Sequence, residues 1–363
     1  MVESGCEMKD IGSIFPLFDK DLLTSLCAAD EDVNRIHYSL CREALFDIAQ
    51  HLDTGNKVVL LPAYTCDTVI TPFMELGWTC VYYLVDLQLR IETQSVLDLY
   101  NQYHASLIVV HPYYGKDLNK AEIDLLDYLH GKGCKVAVDL TQCVFSSQRL
   151  SCVDYYVGSY RKWFAIPDGG YLELADQTEV FDALLEENTD FVSLQRDAMY
   201  LRGLYFQTDN EEVKSISRRL NKMAVEMTDY NIAPHKMSEI SCALLAKEDK
   251  LENQKRRYSN YKYLLDQLEG IKDCRILCDN MDEVNSAPLY FMIYVNDRGD
   301  LQRDFAERHI YAPVIWPVVY DDVLIDDTVK YIYDHILAIP IDQRYDEHDM
   351  ENIVETIKEH YCD

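Results

Sequence analysis

Glycine and proline are both scarce, at 13 and 10 of 363 residues. A chain so poor in both is neither collagen-like nor a Pro/Gly-rich disordered tract. Hydrophobic residues make up 48%, enough for an ordinary core. Basic residues are few: 34 against 63 acidic ones, a formal net charge of −29. The long-range field of such a surface repels nucleic acid and anionic membranes. Neither is expected as a partner, and the acidic excess reads as a solvated coat. No apolar run is long enough to span a bilayer. The first nine residues lack a basic stretch leading into an apolar one, so a cytoplasmic location is expected. Gly-x-Gly-x-x-Gly and the Walker loop are both missing, which weakens dehydrogenase and kinase readings.

Twelve cysteines are present, but they are scattered (Cys6, Cys27, Cys41, Cys66, Cys80, Cys134 and others). Free thiols in a reducing compartment account for them. Cys274 and Cys278 have the wrong spacing for a zinc knuckle and no second pair follows them, so no metal is expected.

The length suggests two lobes. From about Arg42 to Leu174, short apolar runs alternate with amphipathic stretches. Val58–Leu61, Cys80–Leu84, Ser106–His111 and Lys135–Asp139 read as buried strands. Asn119–His130 reads as a helix with Asn119 as N-cap and Gly131 and Gly133 as stop signals. Such alternation implies an α/β fold with a mostly parallel sheet covered on both faces. Val153–Ser159 and Tyr171–Leu174 add two strands. Beyond Asp176 the pattern turns helical. Ile240–Leu268 carries one long helical period with a charged face at Lys250, Glu252, Lys255, Arg256 and Arg257. Leu289–Val295 reads as a strand and Asp349–His360 as an amphipathic helix. The expected division is a large domain over 1–205, a helical connection over 206–239 and a smaller α+β domain over 240–363.

Open α/β sheets bind ligands at the carboxyl ends of their strands. Asp139 ends one strand, Lys162 follows another, and Ser39–Ala44 opens a helix whose N–H groups could cradle an anion. Pyridoxal 5'-phosphate (PLP) needs such a set: a lysine for its Schiff base, an acid against its pyridine nitrogen and donors for its phosphate. The same residues also read as a cap, a solvated lysine and an ordinary helix start. Spacing does not choose between the two readings.

The wording of the segments is more specific. Leu61-Pro-Ala-Tyr-Thr-Cys66, Val110-His-Pro-Tyr-Tyr-Gly115, Val138-Asp-Leu-Thr-Gln142 and Ser159-Tyr-Arg-Lys-Trp163 with Pro167-Asp-Gly-Gly170 resemble the DegT/DnrJ-type sugar aminotransferases. Lys255-Arg-Arg-Tyr-Ser-Asn-Tyr261 and Ile339-Pro-Ile-Asp-Gln-Arg-Tyr345 are similar to that family's small-domain segments. The resemblance runs in order from about Tyr38 to Met350. It implies PLP fold type I, a homodimer, and transfer of an amino group from a donor such as glutamate to a keto-sugar, on a nucleotide carrier, in polysaccharide or glycoconjugate biosynthesis.

Residue by residue, the resemblance implies Lys162 as the Schiff-base lysine and Asp139 as the partner of the pyridine nitrogen. Gln142 falls beside the ring and Ser159 at the phosphate. Tyr64 and Thr65 lie in the loop that approaches the cofactor, and Cys66 stands where several relatives place a stacking aromatic. The phosphate turn departs from the pattern: in Ser39-Leu-Cys-Arg-Glu-Ala44, Cys41 stands where Gly is typical, with Arg42 and Glu43 following. His235 and Lys236 replace an Asn-Tyr-Arg run that relatives lend from the partner subunit. Tyr113, Tyr114 and Arg344 are candidate substrate contacts, Arg344 equally a structural ion pair, and His111 reads as a strand-end histidine rather than a base. The departures leave two alternatives open, a PLP-dependent sugar dehydratase or lyase and a non-catalytic ligand-binding relative.

Overall fold

The computed structural model describes residues 10–22, 35–52, 54–175, 181, 186–228, 232–277, 287–318 and 326–362. Cys6, Cys27 and Cys278 lie outside them. The strands run in chain order as β1 (Arg35–Tyr38), β2 (Val58–Pro62), β3 (Thr79–Tyr83), β4 (Leu107–Val110), β5 (Lys135–Asp139), β6 (Tyr155–Ser159) and β7 (Gly170–Leu174). These seven belong to one mostly parallel sheet, as the segment pattern predicts. A second sheet is built from β8 (Cys274–Ile276), β9 (Tyr290–Val295) and β10 (Ile336–Pro340).

By internal packing the chain forms two compact units, each assembled from separate stretches. Among the described residues, the first comprises the stretches within Ser13–Asp53 and Tyr155–Asp249. Its share of the sheet is the antiparallel run β1-β7-β6. Helix Cys41–His51 packs on β6 and β7, and Gly170 makes that approach possible. A Cβ on Gly170 would come within 2.5 Å of the Leu40 carbonyl carbon and the Cys41 nitrogen, backbone atoms that cannot swing aside. Helices Thr189–Thr208 and Glu211–Met227 pack together, and the Ser217 hydroxyl donates to the Ala198 carbonyl at 2.7 Å. Asp209, in the left-handed region at φ 55°, ends the first of them, and Asn210 caps the second.

The second unit comprises Asp10–Gly12, Thr54–Asp154 and Lys250–Asp363. Here the order is β5-β4-β2-β3, parallel throughout. All four residues of β4 and all five of β2 are buried, which explains their unbroken apolar runs. The crossovers carry helices Asp67–Glu75, Thr93–Tyr103 and Lys120–Gly131. In the last of these, Asn119 accepts from the Glu122 N–H and Glu122 returns to the Asn119 N–H, a closed capping box. Sheet β10-β9-β8 is antiparallel, and helices Lys250–Leu268 and Asp327–His335 lie against it.

The long helix expected over Ile240–Leu268 is two helices, Glu239–Leu245 and Lys250–Leu268. The first closes in a turn, Lys247 N–H to Leu244 and Glu248 N–H to Leu245, each at 3.1 Å. Asp249 stands just before the second, where an acidic side chain favours a helix start. Arg257, assigned from the helical period to a charged face, is 1% exposed. Its guanidinium donates to the Gln343 side chain at 2.8 Å and to the Leu289 carbonyl at 3.2 Å.

Candidate active site

In the second unit, parallel pairing brings the carboxyl ends of β5, β4 and β2 side by side, and each delivers a polar side chain. Asp139 ends β5 and is 5% exposed. Its Oδ1 accepts from the Thr141 N–H at 2.9 Å, and its Oδ2 lies 3.4 Å from Nδ1 of His111, just after β4. Nε2 of His111 lies 2.7 Å from the hydroxyl of Thr65, in the loop after β2. Thr65, His111 and Asp139 thus form one line across three neighbouring strand ends.

Aromatic rings wall this line. The Tyr64 and Tyr114 hydroxyls are 3.1 Å apart, and the Tyr113 hydroxyl donates to the Tyr64 carbonyl at 2.5 Å. Trp316 and Tyr333 bring their rings to 4.9 and 5.0 Å from that of Tyr64. The Tyr333 hydroxyl accepts from the Thr65 N–H at 3.3 Å and donates to the Ala63 carbonyl at 3.0 Å. Burial raises the phenols of Tyr64, Tyr113 and Tyr114, and pushes Tyr333 up to about 12. These hydroxyls are therefore neutral hydrogen-bonding groups near neutral pH, not bases. Trp316 and Tyr333 lie more than 200 residues downstream of Tyr64, and nothing local in the sequence marks them for this place.

The turn after Asp139 carries Gln142, 3% exposed. Its Oε1 accepts from the Tyr114 N–H at 3.1 Å, while its Nε2 is buried with no hydrogen-bond partner among the described residues. Tyr114 itself adopts a left-handed conformation, φ 51°, unusual for an aromatic residue. The Cys66 thiol donates to Asp67 at 3.1 Å and accepts from the Thr68 hydroxyl at 3.0 Å. Arg344 lies in a buried two-pronged pair with Asp342, both contacts at 2.7 Å. Of its two readings, the structure displays the ion pair.

The first unit holds the remaining candidates. Lys162 is exposed at the end of the short turn Tyr160–Lys162 that follows β6, with buried Trp163 and Phe164 next in the chain. Ser159, 8% exposed, ends β6 opposite Gly170. Asp168 pins the loop after Lys162. Its carboxylate accepts from the Ser238 N–H at 3.0 Å, from the Ser238 hydroxyl at 2.5 Å and from the Ser241 hydroxyl.

At the start of helix Cys41–His51, the Glu43 carboxylate accepts from the Leu40 N–H at 3.3 Å and the His235 N–H at 3.1 Å. His235 Nδ1 lies 3.4 Å from the other Glu43 oxygen. Burial raises the Glu43 carboxyl against the opposing pull of His235, and the Glu43 contact raises His235. Arg42 donates to the Thr228 carbonyl at 2.8 Å. The Lys236 backbone N–H donates to the Glu186 carbonyl at 3.0 Å. The structure thus groups Cys41, Arg42, Glu43 and His235 around one helix start, but spends the Leu40 N–H on the protein's own carboxylate.

Solved aminotransferases share the fold of this chain. Helicobacter pylori PseC, described as an aminotransferase involved in the biosynthesis of pseudoaminic acid, matches with a TM-score of 0.68 at 12% identity, over 97% of this chain and 99% of that one. A putative sugar aminotransferase from Streptococcus pneumoniae, solved in its PLP form, matches with a TM-score of 0.63 at 14% identity, over 90% and 86%. A DegT DnrJ EryC1 StrS aminotransferase from Brucella abortus matches with a TM-score of 0.63 at 13% identity, over 91% and 86%. No family model matches the sequence, and no curated protein does. At these identities the likeness establishes the fold: this chain has the fold of the DegT/DnrJ-type aminotransferases, the one its segments lead one to expect.

Proposed function

We propose that the chain is a PLP-dependent aminotransferase acting on a sugar. The observation that carries this reading is the turn Asp139–Gln142. It joins a buried carboxylate at a strand end to a buried amide Nε2 with no partner among the described residues. An orphaned donor of that kind suits a ligand atom.

In this reading Asp139 accepts from the ring nitrogen and Gln142 lies beside the ring. Ser159, with the helix start at Cys41, Arg42 and Glu43 and with His235 and Lys236, faces the phosphate. Gly170 fits that role, since the side chain it lacks would fill the approach to the Cys41 N–H. PLP, when bound, supplies an electron sink for a breaking C–H bond. Lys162 would hold it through Nζ, and the same amine would take a proton from the substrate carbon and return it. Tyr64, Thr65, Tyr113 and Tyr114 wall the substrate side and exclude water, while Cys66 replaces a stacking ring.

The finer reading follows the resemblance. It takes glutamate as donor, a nucleotide-linked keto-sugar as acceptor, surface polysaccharide or glycoconjugate biosynthesis as the context, a homodimer as the working form and the cytoplasm as the place. The functional division remains a large domain over 1–205, a connection over 206–239 and a small domain over 240–363. Among the described residues, no helix is long and apolar enough to cross a membrane. A second reading, a ligand-binding relative with weak phosphate affinity, is favoured by one feature: Glu43 occupies the Leu40 N–H.

The test is the visible spectrum of the protein purified with PLP, then borohydride reduction and peptide mass mapping. A band near the PLP–lysine region, a reduced adduct on Lys162, and loss of both in Lys162→Ala are expected. Glutamate should bleach the band. A colourless protein with no adduct removes the aminotransferase reading and leaves the second one.

A further inference from the structure

His111, in the second unit, lies in the line of Thr65 and Asp139, yet the reading above gives it no task. The sequence suggests a satisfied strand-end histidine. Its surroundings say more than that.

His111 meets two groups of different hydrogen-bonding capacity. Asp139, as a carboxylate, can only accept, so the ring nitrogen facing it, Nδ1, carries the proton. A neutral imidazole then presents a lone pair at Nε2. The Thr65 hydroxyl, 2.7 Å away, can supply the hydrogen which that lone pair needs. Thr65 is itself held, because its N–H donates to the Tyr333 hydroxyl and Tyr333 in turn donates to the Ala63 carbonyl. The rings of Tyr113 and Trp316 stand 5.6 and 6.0 Å from the imidazole. In that dry setting the 3.4 Å contact to Asp139 is stronger than it would be on the surface.

We propose that His111 is a positioning residue for Asp139. Its Nδ1–H holds the carboxylate turned toward the group bound at the end of β5, and Thr65 selects the tautomer that makes this possible. The proposal rests on the PLP reading for the identity of that group, but not for the tautomer, which belongs to the chain alone.

Two measurements test it separately. In protein without PLP, long-range 1H–15N spectra of the histidine rings, with His111 assigned from His111→Asn, should show Nδ1 protonated. Thr65→Val, nearly the same shape without the hydroxyl, should shift His111 toward a mixture of tautomers. In protein with PLP, His111→Phe should weaken retention of the cofactor by about tenfold, the scale at which second-layer partners of a bound group act. His111→Asn, whose amide nitrogen replaces Nδ1, should recover most of that loss, whereas His111→Gln, reaching the Thr65 side, should not. Thermal melting reports whether each variant is folded. An Nε2-protonated His111 in the wild-type chain overturns the proposal, as does a folded His111→Phe that holds PLP like wild type. If wild type itself forms no adduct at Lys162, the PLP reading falls, and the tautomer spectra still decide the role of His111.

Discussion

Asp342 shows how a single side chain can serve packing where function was also conceivable. It is fully enclosed, and burial alone would raise its carboxyl. The two-pronged contact with Arg344 and the nearby Arg257 overcome that and hold it below the usual range. Burial in turn pulls Arg257 down to about 10. Two guanidiniums lie near one carboxylate here, so its removal takes a buried counter-charge from both. Asp342→Ala should cost about 3–5 kcal/mol, the range for breaking a buried pair from one side, read from urea unfolding. A loss below about 1 kcal/mol would mean that water reaches the cluster, reopening Arg344 as a substrate contact. Arg257 was hidden from sequence reading because its helix position looks solvated. What buries it is Gln343 and Leu289, brought from 86 and 32 residues away.

At the scale of an element, the C-terminal helix Glu347–Cys362 is pinned by a charge cluster. His360 lies 2.8 Å from Asp297 and 2.5 Å from Asp304, and the Tyr361 hydroxyl donates to Asp297 at 2.6 Å. Burial pulls His360 down, but hydrogen bonds to Asp304 and Asp297 outweigh it and its value ends raised. A raised value in the folded state means that folding takes up a proton. The stabilisation is therefore complete below the unfolded value near 6.5 and is lost as pH rises through the folded value above it. His360→Gln should lower the melting temperature at about pH 6 by the equivalent of about 1 kcal/mol. The gap to wild type should close as pH rises above neutrality, and a pH-independent gap would show that the ring matters only by packing. Asp349–His360 reads as amphipathic from the sequence alone. The clamp does not, because its other half lies in 297–304, on a different helix.

For the whole molecule, a formal charge of −29 opposes compaction through self-repulsion. Screening should relieve it, so the melting temperature should rise between about 10 mM and about 0.5 M NaCl, as the Debye length falls from about 30 Å to a few ångströms. A fall would mean that attractive ion pairs, not net charge, dominate the surface. The same acidity leaves few cations for an anionic substrate, and two of the candidates are already engaged: Arg42 on the Thr228 carbonyl and Arg344 on Asp342.

The alternation of strands and helices, the mostly parallel sheet and the polar residues at its strand ends are all legible in the amino-acid sequence. Those properties are written in short-range patterns: apolar runs for buried strands, Asn119 for a cap, Asp139 and Lys162 directly after strands. Resemblance rather than periodicity leads one to expect Gln142, Tyr64 and Thr65 beside a cofactor. Which side chains complete one another is set by the folded arrangement. Thr65, His111 and Asp139 align because β2, β4 and β5 pair in parallel, although 46 and 28 residues separate them in turn. Trp316 and Tyr333 close around Tyr64, and Glu43 turns back onto the Leu40 N–H. Such contacts depend on strand register and on side-chain direction across elements, and local propensity carries no record of either.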